Sequence, residues 1–259
     1  MNGFERHKEA FTSKSNPDLH LSASTFNVAV DAIDVFVAEK LFGKRGPFGA
    51  APMRGICTED AVVDVVYHGM KIEEAVKKAE DKFDKRMMFG DAQTQKERDM
   101  IEPCTRLAVE ALEPYGKPDF GEDGKQQAVR INCKTDDWSI PFIGYLDFVY
   151  PEHGLVIDLK TTGRMPPQMS KGHQVQRAIY QKAMGNFGCK FLYVTPKKAE
   201  FKEDGDVKET LDYIKAQTIR LERFLNSGDK EHLRQIVPVN PNSFYWRGNE
   251  DARRELYGV

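Results

Sequence analysis

Residues 143–162, IGYLDFVYPEHGLVIDLKTT, decide the fold. Two β-type runs lie on either side of Pro-Glu-His-Gly, which is typical of a hairpin connection. The second run is apolar enough for a buried strand, yet it carries Asp158 and Lys160, whose side chains at i and i+2 share one face. Asp147 lies in the first run. Burying two carboxylates and an ammonium costs free energy unless a metal or a partner compensates, so this hairpin is where chemistry is expected.

The composition is that of a globular protein, with 259 residues of which 40% are apolar and 30% charged. The net charge of −2 provides no global field for a polyanion, so a nucleic-acid partner would need a local basic patch. The four cysteines form no C-x-x-C pair, which argues against an iron–sulfur cluster and favours a reducing cytoplasm. Since no signal peptide or apolar run of about 18 residues is seen, we expect a cytoplasmic protein that does not contact a membrane.

The order of the predicted elements indicates an α/β fold. A flexible leader over residues 1–21 precedes a single domain, 22–259, with a helical part at 22–115, a sheet core at 125–195 and C-terminal helices at 205–259. Periodicity and turn signals predict helices over 22–42, 53–68, 71–88, 93–112, 170–186 and 208–226, and strands over 127–133, 140–150, 155–161 and 190–195. We expect a central mixed sheet of about four or five strands with helices on both sides.

Two carboxylates converging from neighbouring strands make an oxygen site that suits Mg²⁺ or Mn²⁺ together with a substrate phosphate. A lysine beside them could position or deprotonate a water molecule, and this set of groups is suited to phosphodiester hydrolysis. Acid-x-Lys alone is a weak signal, because the chain repeats it in polar contexts, as at Glu200-x-Lys202. The apolar strand around Asp158 sets the hairpin copy apart.

The motifs Gly144-Tyr-Leu-Asp147, Asp158-Leu-Lys160 and Gln176-x-x-x-Tyr180 resemble those of the PD-(D/E)XK nuclease superfamily, in its RecB-type and phage-type exonuclease branch. The resemblance implies a restriction-endonuclease-like core with Mg²⁺, or Mn²⁺, as the cofactor. By the same resemblance, the metal ligands would be Asp147, Asp158 and the carbonyl of Leu159, and Lys160 would be the catalytic lysine.

The resemblance also gives a role to Glu59, in Met53-Arg-Gly-x-x-x-Glu59, as the acid that a preceding helix supplies to the metal and the catalytic site. The cysteine cluster of some RecB-type members is missing, so no iron–sulfur cluster is expected. Residues expected to contact the nucleic acid are Gln176, Tyr180, Arg54, Ser24, Arg177 and His173.

Each of these residues also has an ordinary structural explanation. Asp147 could cap a turn, Asp158 and Lys160 could form an exposed ion pair, and Glu59 could be an acid favoured by the helix dipole. Ser24 could belong to a helix cap, and Arg177 and His173 could be solvated helix residues. The aromatic pair before Arg247 could stack on bases, but packing over a core edge is commoner.

The predicted function is a Mg²⁺-dependent DNA exonuclease on duplex ends, in phage recombination, repair or replication. Its partners would be DNA, duplex or single-stranded, and a single-strand annealing or recombination protein. Two alternatives remain open: a structure- or site-specific endonuclease on the same core, and a nucleic-acid-binding protein without catalysis.

Overall fold

The computed structural model describes residues 2–13, 16–88, 90–120, 126–131 and 138–259. In these ranges the helices are α1 Gly3–Arg6, α2 Ala23–Asp31, α3 Ile33–Phe36, α4 Ala50–Val66, α5 Ile72–Arg86, α6 Ala92–Arg98, α7 Ile101–Leu112, α8 Lys171–Met184, α9 Val207–Asn226, α10 Lys230–Ile236 and α11 Glu250–Tyr257. The strands are β1 Leu21–Ser22, β2 Gln127–Ile131, β3 Phe142–Leu146, β4 Phe148–Tyr150, β5 Leu155–Thr161, β6 Gly188–Val194 and β7 Ala199–Lys202. None of the described helices has the length and apolar content needed to span a bilayer.

The α/β class is confirmed, but the described strands form two sheets rather than one. A three-stranded sheet has the order β1-β3-β2, and a four-stranded sheet has the order β4-β5-β6-β7. The predicted strand 140–150 is divided at Asp147, where the chain bends between β3 and β4. The predicted strand 127–133 is seen to Ile131, and its last two residues lie outside the described ranges.

The four-stranded sheet is mixed. β4 and β5 form the predicted antiparallel hairpin, β5 and β6 pair in parallel through the crossover helix α8, and β6 and β7 are antiparallel. Gly154 closes the hairpin in the left-handed region, with φ of 54°, which glycine adopts without steric cost. No strand is predicted from the sequence where β7 lies, because its short, polar run carries little hydrophobic signal.

Helices cover both faces of this sheet, as expected. Val156 of β5 packs in a cluster with side chains of α2, α8 and α9. Its neighbours Leu155 and Ile157 belong to a second cluster with α4 and α7. Because side chains alternate along a strand, Asp158 and Lys160 are placed on the α8 side, in line with Val156.

The prediction of a flexible leader over residues 1–21 is wrong for the first part of that segment. Phe4 in α1 and Phe11 in the 3₁₀ turn Lys8–Phe11 are 0% and 2% exposed. Their rings stack edge to face with centroids 5.0 Å apart, within the cluster that also holds Leu225 of α9. Burial against α9 therefore makes this segment part of the core.

Two predicted helices are interrupted. The helix over 22–42 begins as expected, because the hydroxyl of Ser22 accepts a hydrogen bond of 3.2 Å from the Thr25 amide. The helix breaks at Ala32, and the chain continues as α3 and a π-helical turn, Val37–Leu41. The helix over 93–112 is divided into α6 and α7. Pro103 falls in the first turn of α7, where its missing N–H would have no helical partner anyway.

Candidate active site

Strand β5 places Asp158 and Lys160 side by side beneath α8. Asp158 is 0% exposed, and the Lys160 side chain is 25% exposed. The Lys160 ammonium forms an ion pair with Oδ1 of Asp158. That oxygen has no partner at hydrogen-bonding angles among the described residues, so the ion pair is its compensating contact.

The bend between β3 and β4 carries Asp147 to the same place. The β4–β5 register pairs Phe148 with Ile157, and its continuation by one residue sets Asp147 opposite Asp158. Oδ2 of Asp147 accepts a hydrogen bond of 2.8 Å from the amide of Leu159, so the carboxylate replaces a backbone acceptor of the ladder. Asp147 is 7% exposed.

Glu59 joins this group from α4. The side-chain amide of Gln126 donates to Oε1 of Glu59 at 2.5 Å and to Oδ1 of Asp147 at 2.9 Å, so one nitrogen bridges the two carboxylates. Sequence analysis missed Gln126. It lies immediately before β2, and that position is its only signal.

Helix α8 completes the site through Gln176 and Tyr180, which lie one turn apart. The Gln176 amide donates to Oδ2 of Asp158 at 2.9 Å and to the Tyr180 hydroxyl at 2.7 Å. The Tyr180 hydroxyl in turn donates to the carbonyl of Tyr145 at 2.7 Å. This chain of hydrogen bonds fixes the Asp158 carboxylate relative to β3.

Three acids share one ammonium, and their pKa values reflect this. Burial, followed by repulsion from Asp158 and Glu59, raises the pKa of Asp147 well above its normal range. Burial also raises the pKa of Asp158, against the opposing effect of Lys160. Burial and the nearby Asp158 raise the pKa of Glu59 to about 7. Burial alone would lower the pKa of Lys160, but Asp158 and Asp147 outweigh it and raise that pKa.

The excess of carboxylates fits a divalent cation, although the ligand set is small. Among the residues that the structure describes, no group of three or more His, Cys, Asp or Glu side chains is arranged to hold a metal ion. Mg²⁺ is commonly held by one or two carboxylates together with water and substrate phosphate. Asp147 and Asp158 meet that lower requirement, since both are buried and lie opposite each other where the β4–β5 register continues.

His173 lies next to the predicted catalytic lysine. Its Nδ1 is 2.5 Å from the hydroxyl of Tyr193, and Tyr193 pairs with Lys160 in the β5–β6 register. Its ring also packs on Phe191, over which the Lys160 ammonium lies 5.3 Å from the centroid. Burial, and then the charge of Lys160, lower the pKa of His173 to about 4, so it is neutral at physiological pH.

The other residues predicted to contact nucleic acid are engaged within the protein. Arg54 is 5% exposed, forms a buried ion pair with Glu97 and donates to the carbonyl of Thr161 at 2.9 Å. Arg177 donates to the carbonyl of Cys189 at 2.9 Å and so links α8 to β6. The Ser24 hydroxyl lies 2.9 Å from that of Ser22, at the cap of α2.

The C-terminal aromatic residues also pack internally. Trp246 is 1% exposed and donates to Oδ2 of Asp34 at 2.8 Å. The hydroxyl of Tyr245 donates to Oδ2 of Asp31 at 3.0 Å. Packing over a core edge, the commoner outcome for such a pair, is therefore confirmed.

The site thus consists of Glu59 from α4, Asp147 from the bend after β3, Asp158 and Lys160 from β5, and Gln176 and Tyr180 from α8, with Gln126 as a bridge. Comparison of the chain with family models, with curated proteins and with solved structures finds no significant match.

Proposed function

We propose that this chain is a divalent-metal-dependent nuclease, most specifically a DNA exonuclease that acts on duplex ends in recombination or repair. The observation that carries the proposal is the convergence of Asp147, Asp158 and Lys160 from adjacent β-segments, with Glu59 beside them. The sequence motifs at these positions resemble those of the PD-(D/E)XK nucleases, which favours the same chemistry.

Asp147 and Asp158 would hold the cation, together with the carbonyl of Leu159, and Glu59 would add a further carboxylate. A bound Mg²⁺ supplies Lewis acidity toward the phosphate and lowers the pKa of a bound water. Because its pKa is raised, Lys160 is an ammonium at neutral pH. As an ammonium it donates hydrogen bonds to the attacking water or to a phosphate oxygen, and so offsets the negative charge that develops in the transition state.

Gln176 and Tyr180 have two roles in this proposal. They would fix the carboxylate of Asp158 through the hydrogen bonds described above, and Gln176, the less buried of the two, would also contact the strand to be cut. His173 would lie near Lys160 as a neutral ring that packs on Phe191. Arg54 contributes by attaching α4, and with it Glu59, to the end of β5.

The test is digestion of end-labelled linear duplex with Mg²⁺ and with EDTA, beside a closed circular duplex. An exonuclease shortens the linear DNA only with the metal and leaves the circle intact. Cutting of the circle would assign the endonuclease alternative, and metal-independent binding without turnover would assign the non-catalytic one. Asp158→Asn and Lys160→Met should each lower the rate about 10²- to 10⁴-fold, the range for removal of a positioned catalytic group.

The chain offers a matched control for these variants. Glu200 and Lys202 form an ion pair of 2.6 Å at the same i, i+2 spacing on β7. Glu200→Gln and Lys202→Met should leave the rate unchanged, because this pair contacts none of the three acids. Full activity of purified, folded Asp158→Asn would refute the proposed function.

A further inference from the structure

A cleft of about 760 Å³ opens beside the carboxylates, between α4, α5 and β3. Glu59 and Gln126 line it, so the cleft and the candidate active site share two side chains. Tyr145 lines it from β3, two residues before Asp147, and its carbonyl is the acceptor for Tyr180. A group bound in the cleft would therefore lie directly against the reacting centre.

Two large apolar side chains are exposed at this cleft. Tyr145 is 49% exposed and Ile56 is 41% exposed. Ile56 precedes Glu59 by three residues on α4, so both lie on the same side of that helix. Tyr145 is held by its strand, because the β2–β3 register pairs it with Ala128 and its carbonyl accepts the Tyr180 hydrogen bond. A rigid strand thus presents an aromatic ring to solvent beside the acids.

The charges around the cleft disfavour a phosphate group inside it. Lys78 pairs with Asp64 at 2.8 Å, and Lys82 forms an ion pair with Asp60. With Glu59 added, the acids outnumber the lysines. The group that fits is uncharged, flat and partly polar, because it meets an exposed ring, an aliphatic side chain and an amide. A nucleobase has these properties, and aromatic side chains bind unpaired bases by stacking.

We propose that this cleft binds the unpaired base of a nucleotide next to the scissile phosphate, with Tyr145 stacked on its face and Ile56 at its edge. The inference rests on the proposed nuclease function and specifies its substrate: a strand whose terminal base is separated from its complement before cleavage. Tyr145 is then a substrate-binding residue whose ring contributes binding energy by contact with the base and not with the phosphate.

The experiment compares initial rates of nucleotide release with Mg²⁺ on two duplexes. One has ordinary ends, and in the other the two terminal nucleotides of the digested strand lack bases. On ordinary ends, Tyr145→Ala should lower kcat/KM about 5- to 150-fold, the loss that stacking on one base predicts. Tyr145→Phe, which keeps the ring, should retain wild-type kcat/KM. On the abasic duplex, wild type and Tyr145→Ala should agree within about twofold.

Phe244→Ala is the matched control, because that aromatic residue is 69% exposed and lies in the C-terminal segment. It should behave as wild type on both duplexes. Equal activity of Tyr145→Ala and wild type on ordinary ends overturns the inference, as does an equal loss on both duplexes. In either case, cleavage by the wild type would still support the proposed nuclease function. A wild type that cuts neither duplex overturns both.

Discussion

Gly144 lies so close to Tyr180 that a β-carbon at position 144 would be 2.4 Å from the Cε1 atom of the tyrosine ring. The ring fills the space that a side chain on β3 would occupy. This contact lets the Tyr180 hydroxyl reach the neighbouring carbonyl of Tyr145 while it accepts the hydrogen bond of Gln176. The position of Asp158 therefore depends on a residue with no side chain.

Gly144→Ala should displace Tyr180 and disturb the hydrogen bonds that fix Asp158. We expect a stability loss of about 1–3 kcal/mol from overpacking, and a loss of activity of about 10²-fold because a catalytic group is moved. Urea unfolding and initial cleavage rates measure the two effects. The control is Gly163→Ala, since a β-carbon there would meet no described heavy atom within 4 Å. Equal activity of the two variants would contradict this prediction.

Arg54 is predicted to stabilise the fold through its buried ion pair with Glu97. Arg54→Met removes the cation and leaves a buried carboxylate unpaired, which typically costs about 3–5 kcal/mol. Glu97→Gln in the same background should recover much of this loss, because the buried charge is then gone. The measurement is urea unfolding without DNA.

An exposed arginine provides the comparison for Arg54. Arg106 pairs with Glu102 at 3.0 Å and its side chain is 44% exposed, so Arg106→Met should cost only about 0–1 kcal/mol. If Arg54 served only as a DNA ligand, Arg54→Met would be as stable as Arg106→Met.

Local patterns in the sequence predicted β5 to the residue and α8 to within two residues at its C-terminal end. They also predicted the hairpin at Gly154. These features depend on residues that are close in the chain, where alternation, turn chemistry and helical periodicity act directly. Asp158 and Lys160 were found in the same way, since they stand out against their apolar strand, whereas Glu59 was assigned by resemblance to the nuclease motifs.

The features that the sequence did not predict depend on contacts between distant residues. Arg54 forms its ion pair with Glu97, which is 43 positions away in the chain. Gln126 forms hydrogen bonds to both Glu59 and Asp147 from a segment without periodicity. No local pattern reveals such partners. Tyr145 likewise has the apolar character of a strand residue, and only the fold shows that its side chain is exposed at the cleft.

The raised pKa of Glu59 predicts how stability depends on pH in EDTA. In the unfolded chain Glu59 ionises near its normal value of 4.5, but in the folded protein it ionises near 7. Between these values the unfolded state has released a proton that the folded state still binds, so the contribution of Glu59 to the free energy of unfolding falls as pH rises from about 4.5 to about 7 and then levels off. The raised pKa values of Asp147 and Asp158 act in the same direction.

Glu59→Gln should flatten this decline and be more stable than wild type at about pH 7.5 in EDTA. Adding Mg²⁺ should stabilise the wild type more at about pH 7.5 than at about pH 5, because the cation binds the ionised carboxylates. Urea titrations at both pH values, with and without Mg²⁺, make the test. If the stability advantage of Glu59→Gln over wild type in EDTA does not grow between about pH 5 and about pH 7.5, the pKa of Glu59 is not raised in the folded protein.

His173 predicts the opposite pH dependence at the acidic end. Its pKa is lowered to about 4 from 6.5, so the unfolded chain gains a proton first as the pH falls. Stability from this residue is complete above about pH 6.5 and is lost toward pH 4. His173→Phe should reduce that acid loss and leave the decline due to Glu59 in place. Urea unfolding of wild type and His173→Phe, measured at intervals between these pH values in EDTA, separates the effect of His173 from that of Glu59. If His173→Phe loses as much stability in acid as wild type does, the pKa of His173 is not lowered.

Phe4 should contribute as much to the free energy of unfolding as a buried residue of the four-stranded sheet. It is fully buried, and a β-carbon at the preceding Gly3 would lie 2.4 Å from the carbonyl oxygen of Glu222, so α1 packs directly on the backbone of α9. Phe4→Ala should therefore cost about 3–5 kcal/mol, the range for truncating a buried aromatic ring. Phe48→Ala, at a residue that is 57% exposed, should change the free energy of unfolding by no more than about 0.5 kcal/mol. A flexible leader would make the two variants equally stable.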